Sequence, residues 1–259
     1  MLYWDLIQGN HLMKLLVALA FTAVVIAASP VGLGTGPVRE EMRWHGWMPG
    51  GQVVEINNVL GDVRAEEATG DEVEVVAVKH GSDDPAHVSI EVVEHKGGVT
   101  ICAVYPNVNP IHPFECRPSH GGGFREAAAS ESEAHIRWDN GGGGDVVLSD
   151  LSVDFVVRLP KRLRFIARTV DGEVSASVAD QDVEAHSVRG DVSVELNASG
   201  GDIRAETATG EVCSEFPLVV REGTTRGIYA TGHIGHAHRI LRLKSGTGNI
   251  RVQRTHQPF

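Results

Sequence analysis

A chain of 259 residues with 42% hydrophobic content can bury a sizeable core, as one domain or one elongated one. Thirty glycines and only 5% aromatics favour a β-repeat architecture over a helical bundle or a doubly wound sheet. A formal net charge of −11 argues against a nucleic-acid partner, because affinity for a phosphate backbone comes from Lys and Arg neutralising charge.

Lys14 precedes an apolar run, Leu15 to Ala28, that ends in small residues. At 14 residues the run suits a secretory signal and is short for a membrane span. Residues 1–28 therefore read as a signal peptide cleaved after Ala28, since Pro30 disfavours cutting after Ser29. An uncleaved N-terminal anchor is the alternative. The start is either Met1 or Met13, because Met13 opens a conventional signal. Removing 1–28 takes away Asp5 and Lys14, so the mature charge stays at −11. No second apolar run is long enough to span a bilayer, and no transmembrane segment is expected in the mature chain.

Residues 29–43, with Gly32, Gly34, Gly36 and Pro37, read as a linker, and 44–259 as a single β-solenoid domain. Trp44 and Trp47 would cap an open end of the solenoid or form an aromatic platform. Strands are predicted at about Val53 to Asn57, Gly61 to Glu66, Val73 to Lys79, Val88 to Glu94 and Val99 to Tyr105. The last three are longer, so the solenoid either widens there or pairs strands antiparallel. Residues 106–145 break the pattern with prolines and glycine runs, an irregular loop that is either functional or mobile. Strands resume at Val146 to Leu159 and Arg164 to Val170. Phe216 to Val220 and a basic, Gly-containing turn then interrupt the repeats before Arg239 to Lys244.

The repeat itself is clearest in two nearly identical stretches, Gly61 to Val73 and Gly201 to Val212. Its unit is a Gly–acid turn followed by alternating Val or Ile and Ala. It recurs at Gly172, Gly190, Gly210 and Gly248, with a degenerate copy at Gln181. The starts at 172, 181, 190, 201 and 210 are 9, 9, 11 and 9 residues apart, one strand plus one turn. Alternation places Val174, Ala176 and Val178, then Val192, Val194 and Leu196, then Ile203 and Ala205, on one face. A unit this short cannot bury its apolar face alone, so successive units must stack.

Turn positions Gly61, Asp62, Gly70, Asp71, Gly172, Gly190, Asp191, Gly201, Asp202, Gly210 and Gly248 are thus structural candidates. Stacked acids suggest a calcium row or a glycosidase pair. Calcium wants six to eight oxygen ligands, and the Gly-Gly-rich nonapeptide that supplies them is missing, so solvated turn acids are expected. Cys102 and Cys116 flank the Pro-rich turn and are expected to pair if the chain is exported. Cys213 reads as a small core residue. His233, His236 and His238 leave metal binding open, with no fourth ligand indicated. Asn197-Ala-Ser199 fits a glycosylation sequon. No catalytic residue, cofactor or metal is assigned.

The order Asn58-Val-Leu-Gly-Asp-Val-Arg-Ala65, Asp154-Phe-Val-Val-Arg-Leu-Pro160, Thr169-Val-Asp-Gly-Glu-Val174, Phe216-Pro-Leu218 and Ser245-Gly-Thr-Gly-Asn-Ile250 resembles a family of exported bacterial β-strand-repeat proteins catalogued as putative adhesins, a domain family of unknown function. The resemblance covers about Gln52 to Val252 and implies an all-β, right-handed parallel β-solenoid. It carries no functional residue across. The expected function is that of an exported, non-enzymatic adhesin or envelope interaction protein, meeting an unknown protein or glycan in the periplasm or at the cell surface. A periplasmic scaffold or signalling partner, or a glycan-active β-helix enzyme, is the alternative. The signal reading predicts that mass spectrometry of the protein from its native host finds a mature N-terminus at Ser29. A chain retaining Leu15 to Ala28 would contradict it.

Overall fold

The computed structural model describes residues 38–105, 116, 151–177, 181–196, 200–223, 227–235 and 238–255. The expected signal peptide, the sequon, Val178, His236 and the 106–145 loop, Cys116 apart, lie outside these residues. The protein is all-β, built as two mixed sheets that share one hydrophobic core.

β1 (Val38–Trp47) begins the first sheet and β2 (Val53–Asn57) the second. β3 (Val63–Glu67) and β4 (Glu72–Gly81) return to the first, and β5 (Ser89–His95) and β6 (Gly98–Val104) to the second. From β7 (Ser152–Leu159) in the first sheet the chain alternates strand by strand. β8 (Arg164–Asp171), β10 (Asp182–Arg189) and β12 (Gly200–Thr209) lie in the second sheet. β9 (Val174–Ser177), β11 (Val192–Leu196) and β13 (Val212–Ser214) lie in the first. Three strands in succession then join the second sheet, β14 (Val219–Glu222), β15 (Ile228–Gly235) and β16 (Ile240–Thr247), and β17 (Ile250–Arg254) ends in the first.

The nine-residue spacing is therefore half a coil: one strand in each sheet, joined at a corner. Inward positions such as Val174, Ala176, Val192, Val194, Leu196, Ile203 and Ala205 are all buried. The coils do not stack in chain order. In the first sheet the order is β1-β4-β7-β3-β9-β11-β17-β13, and in the second β14-β15-β12-β16-β10-β8-β2-β6-β5. The pair β16–β17 thus sits between β10–β11 and β12–β13, parallel to both neighbours. Outer strands pair antiparallel, as in β1 with β4, β4 with β7, β5 with β6 and β12 with β15. A wholly parallel stack in chain order is not what these pairings describe.

Two segments differ from the expected elements. β1 takes up residues 38–43 of the stretch read as linker, because Met42 and Trp44 alternate inward and pack on the core while the Gly-Pro run stops at Pro37. Trp47 lies at the end of this strand, 68% exposed, and does not cover the core among the described residues. The supposed turn after Val220 contains β15, in which Gly232 and Gly235 are strand residues. Gly232 is there because Leu218 crosses it: a Cβ would fall 2.6 Å from the Leu218 side chain.

Corners that lead from the second sheet into the first are held by stacked backbone. A Cβ on Gly172 would lie 2.0 Å from the carbonyl oxygen of Gly61, one on Gly190 2.0 Å from that of Gly172, one on Gly248 2.2 Å from that of Gly190, and one on Gly210 2.1 Å from that of Gly248. Each of these glycines also has positive φ. Three residues before each lies a buried Asn, Ser or Thr that anchors the same carbonyls. Asn58 donates to Gly61 O, Thr169 to Gly61 O, Ser187 to Gly172 O, Ser245 to Gly190 O and Thr207 to Gly248 O, at 2.8 to 3.1 Å. Gly70 and Gly201 are outside this column. Gly70 has open space around it, and Gly201 lies inside β12.

This column predicts that Gly190→Ala lowers the unfolding free energy by about 2 to 5 kcal/mol, read from the urea midpoint, because a methyl group and positive φ are both opposed there. Gly70→Ala, with nothing within 4 Å of its Cβ, should change it by less than about 1 kcal/mol.

Candidate interaction surface

Alternation gives the second sheet a polar outer face. Glu55, Ile166, Glu184, Arg242, Arg204 and Thr231 lie side by side across six strands. Two residues along each strand, the row is Asn57, Arg168, His186, Lys244, Glu206 and Tyr229. No single segment contains this surface; the register of five parallel strands and antiparallel β15 assembles it from residues up to 187 positions apart.

One end of the face is buried. Glu55, Asn57 and Thr100 are at most 3% exposed. The Arg168 guanidinium lies between two carboxylates, bonded to Glu55 through Nη1 and to Glu184 through Nη2 at 2.9 Å. Thr100 Oγ1 donates to Glu55 Oε2 at 3.4 Å. Asn57 Oδ1 and Glu184 Oε2 are buried without a hydrogen-bond partner among the described residues. Beside them, burial and the neighbouring Lys244 and Arg168 charges push the His186 imidazole down to about 4 from its usual 6.5.

Toward β15 the same face opens. A concavity of about 530 Å3 is floored by Ile203, Arg204, Tyr229, Thr231, Ile240 and Arg242, with Val219 at its rim. Tyr229 and Ile240 are about 40% exposed, unusual for large side chains in a strand of this core. Asp202 and His233 close one side as a 2.7 Å pair. Arg204 makes no ion pair among the described residues, unlike Arg168.

The turn acids do stack in part, but as backbone clamps. Asp154 Oδ1 accepts from Asp62 N, Asp62 Oδ1 from Glu173 N, Asp191 Oδ1 from Asn249 N, and Asn249 Oδ1 from Glu211 N, at 2.8 to 3.0 Å. The Asn249 backbone bond, helped by Arg251, holds the Asp191 carboxyl below the usual carboxylate range. Asp71 and Asp202 lie outside this ladder. Among the described residues no three His, Cys, Asp or Glu side chains are placed to hold a metal. His233 is engaged with Asp202, and His236 lies outside the described residues. Cys102 and Cys116 form a disulfide with Cα atoms 5.5 Å apart. Cys213 is exposed rather than in the core, because its position in β13 has outward parity.

The candidate residues that the sequence does not single out are those of the outer face. Their only linear signal is a charged or polar residue between two inward apolar ones, as in Val183-Glu-Ala-His186 and Ile203-Arg-Ala205. No family model matches this chain, and no curated protein matches it. A crystal structure described as a "putative cell adhesion protein" from Clostridium sporogenes is 12% identical, with 83% of this chain and 100% of that chain covered, at a TM-score of 0.45. A likeness that slight carries no argument about function. No helix among the described residues is long and apolar enough to cross a membrane.

His186 makes the stability of the fold pH-dependent. Its folded value lies below its unfolded one, so the unfolded chain binds more protons between the two, and stability is full above about 6.5 and falls as pH drops toward about 4. Chemical denaturation across that range should show a loss of at most about 3 kcal/mol that His186→Asn removes.

Proposed function

We propose that this chain is an exported, non-enzymatic interaction protein of the cell envelope, adhesin-like, whose partner seats on the outer face of the second sheet. The observation that carries this is the open concavity around Tyr229, Ile240, Arg204 and Arg242. Exposed aromatic and arginine side chains ringed by polar groups are the composition of macromolecular hot spots. Export is supported by the Leu15 to Ala28 run and by the pairing of Cys102 with Cys116, a bond suited to an oxidising compartment.

The right-handed parallel β-solenoid belongs to this proposal as its finer architecture. β8, β9, β10 and β11 wind from one sheet to the other and back with parallel neighbours, and crossovers of this kind are right-handed in about 98% of cases.

A glycan-cleaving enzyme is favoured less. Its two carboxylates would be Glu55 and Glu184, yet Arg168 fills the space between them where a glycosidic oxygen would have to sit.

The test is cosedimentation of the purified mature chain with isolated envelopes of its native host. Arg204→Glu and Tyr229→Ala should each weaken binding about tenfold, the scale of one hot-spot truncation. A control at Arg39, on the other sheet, should leave it unchanged. Equal binding by all four proteins, or none by the parent chain, removes this reading.

A further inference from the structure

β14 is the free edge of the second sheet, and all four of its residues are exposed. Val219 is 58% exposed and Val220 54%. The other edges are blunted against pairing, as soluble sheets require. β1 carries Arg39, Glu41 and Arg43, β5 carries Glu91 and Glu94, and β13 is three residues long with Pro217 close behind. β14 instead presents two adjacent valines.

Val220 is the more telling of the two. It pairs with Ala230, which is fully buried, so Val220 shares the inward parity of the sheet. The first sheet ends at β13, the partner of β12 across the Gly210 corner, and two further strands of the second sheet extend past it. An inward-facing valine is thereby left on an overhanging ledge, half in solvent.

We propose that β14 pairs antiparallel with β14 of a second copy, making a two-fold dimer in which the second sheet runs on from one protomer into the next. The strand is self-complementary in only one useful register. Side-chain alternation requires that directly opposed residues share a face, so the two-fold must pass through a residue. Through Arg221 or Glu222 it sets like charges opposite each other, which is destabilising. Through Val219 it shortens the overlap and puts Pro217 opposite Arg221. Through Val220 it brings Val220 against Val220 and Val219 against Arg221, with no like charges opposed. An isologous contact of this kind closes on itself, so it yields a dimer and not a fibre.

The inference does not rest on the concavity being a binding site. It does set the two concavities on one continuous outer face, since Val219 lines the rim of each.

The test uses the mature chain with Cys213→Ser, which removes its free thiol. Val220→Cys should cross-link to a covalent dimer under mild oxidation, and Arg221→Cys, offset from the axis, should do so much more slowly. Light scattering of the unmodified chain should give a dimer. Val220→Lys, which opposes two ammonium groups, should raise its dissociation constant roughly tenfold or more with an unchanged circular dichroism spectrum. A unmodified chain that stays monomeric up to its solubility limit overturns the proposal, and so does cross-linking that is equal at 220 and 221. A Val220→Lys dimer as tight as the parent also overturns it. Envelope binding by a monomeric chain would separate this failure from that of the concavity.

Discussion

The contact on which the rest depends is backbone against backbone at the corner between the sheets. Gly61, Gly172, Gly190, Gly248 and Gly210 stack so closely that no Cβ fits between them. Such an approach takes carbonyl oxygens partly out of water, where leaving one unpaired is costly. The Asn, Ser or Thr three residues earlier supplies the missing donor, and Asp or Asn just after the glycine takes up the next coil's N–H. Three positions, the polar residue, the glycine and the residue after it, thus hold a corner. Once it is set, period-two alternation places the small inward residues of both strands without further instruction.

That corner also explains how far the fold is legible in the sequence. Strand existence is plain from Gly–acid–Val alternation, and the nine-residue spacing correctly marks strand plus turn. The strongest sequence repeat nevertheless misleads. Gly61-Asp-Val-Arg-Ala65 leads into β3 of the first sheet, whereas Gly201-Asp-Ile-Arg-Ala205 lies within β12 of the second. The two stretches share what any half-buried strand needs, and so do not reveal which sheet they join. The distinguishing residue is upstream. Asn58, Thr169, Ser187, Thr207 and Ser245 precede the corner glycines by three positions, while Glu67 and Ala198 precede Gly70 and Gly201. Among the Gly–acid and Gly–Asn units compared, a hydroxyl or amide at that offset goes with the corner, where it answers a carbonyl of the stacked backbone.

Coil order lies beyond such local marks. Nothing in Ile240 to Arg254 says that β16 and β17 belong between two coils already formed from earlier residues. The hairpin β14–β15 decides it, by turning the chain back along one side of β12 and delivering it to the other. The C-terminal strands therefore complete both sheets at once. Their hydrogen-bonded neighbours are all remote in sequence, so closing the last coil carries the loop entropy of long-range pairing, the kind of topology associated with slow folding.

The outer face is illegible for the same reason. Arg168 with Glu55 and Glu184, or Tyr229 with Arg204 and Ile240, are neighbours only through register across strands. The two ends of the face have opposite character although their residue types are similar. Where Arg168 is flanked by two carboxylates the charges answer one another and the site is closed and rigid. Where Arg204 lies between Arg242 and Thr231, its guanidinium has no ion pair among the described residues and is exposed to an external partner. In a sheet built from repeats, the inward positions are held nearly constant by packing in the core. Variation is therefore confined to the outward ones, and a partner can add most where an outward charge such as that of Arg204 lacks an ion pair among the described residues.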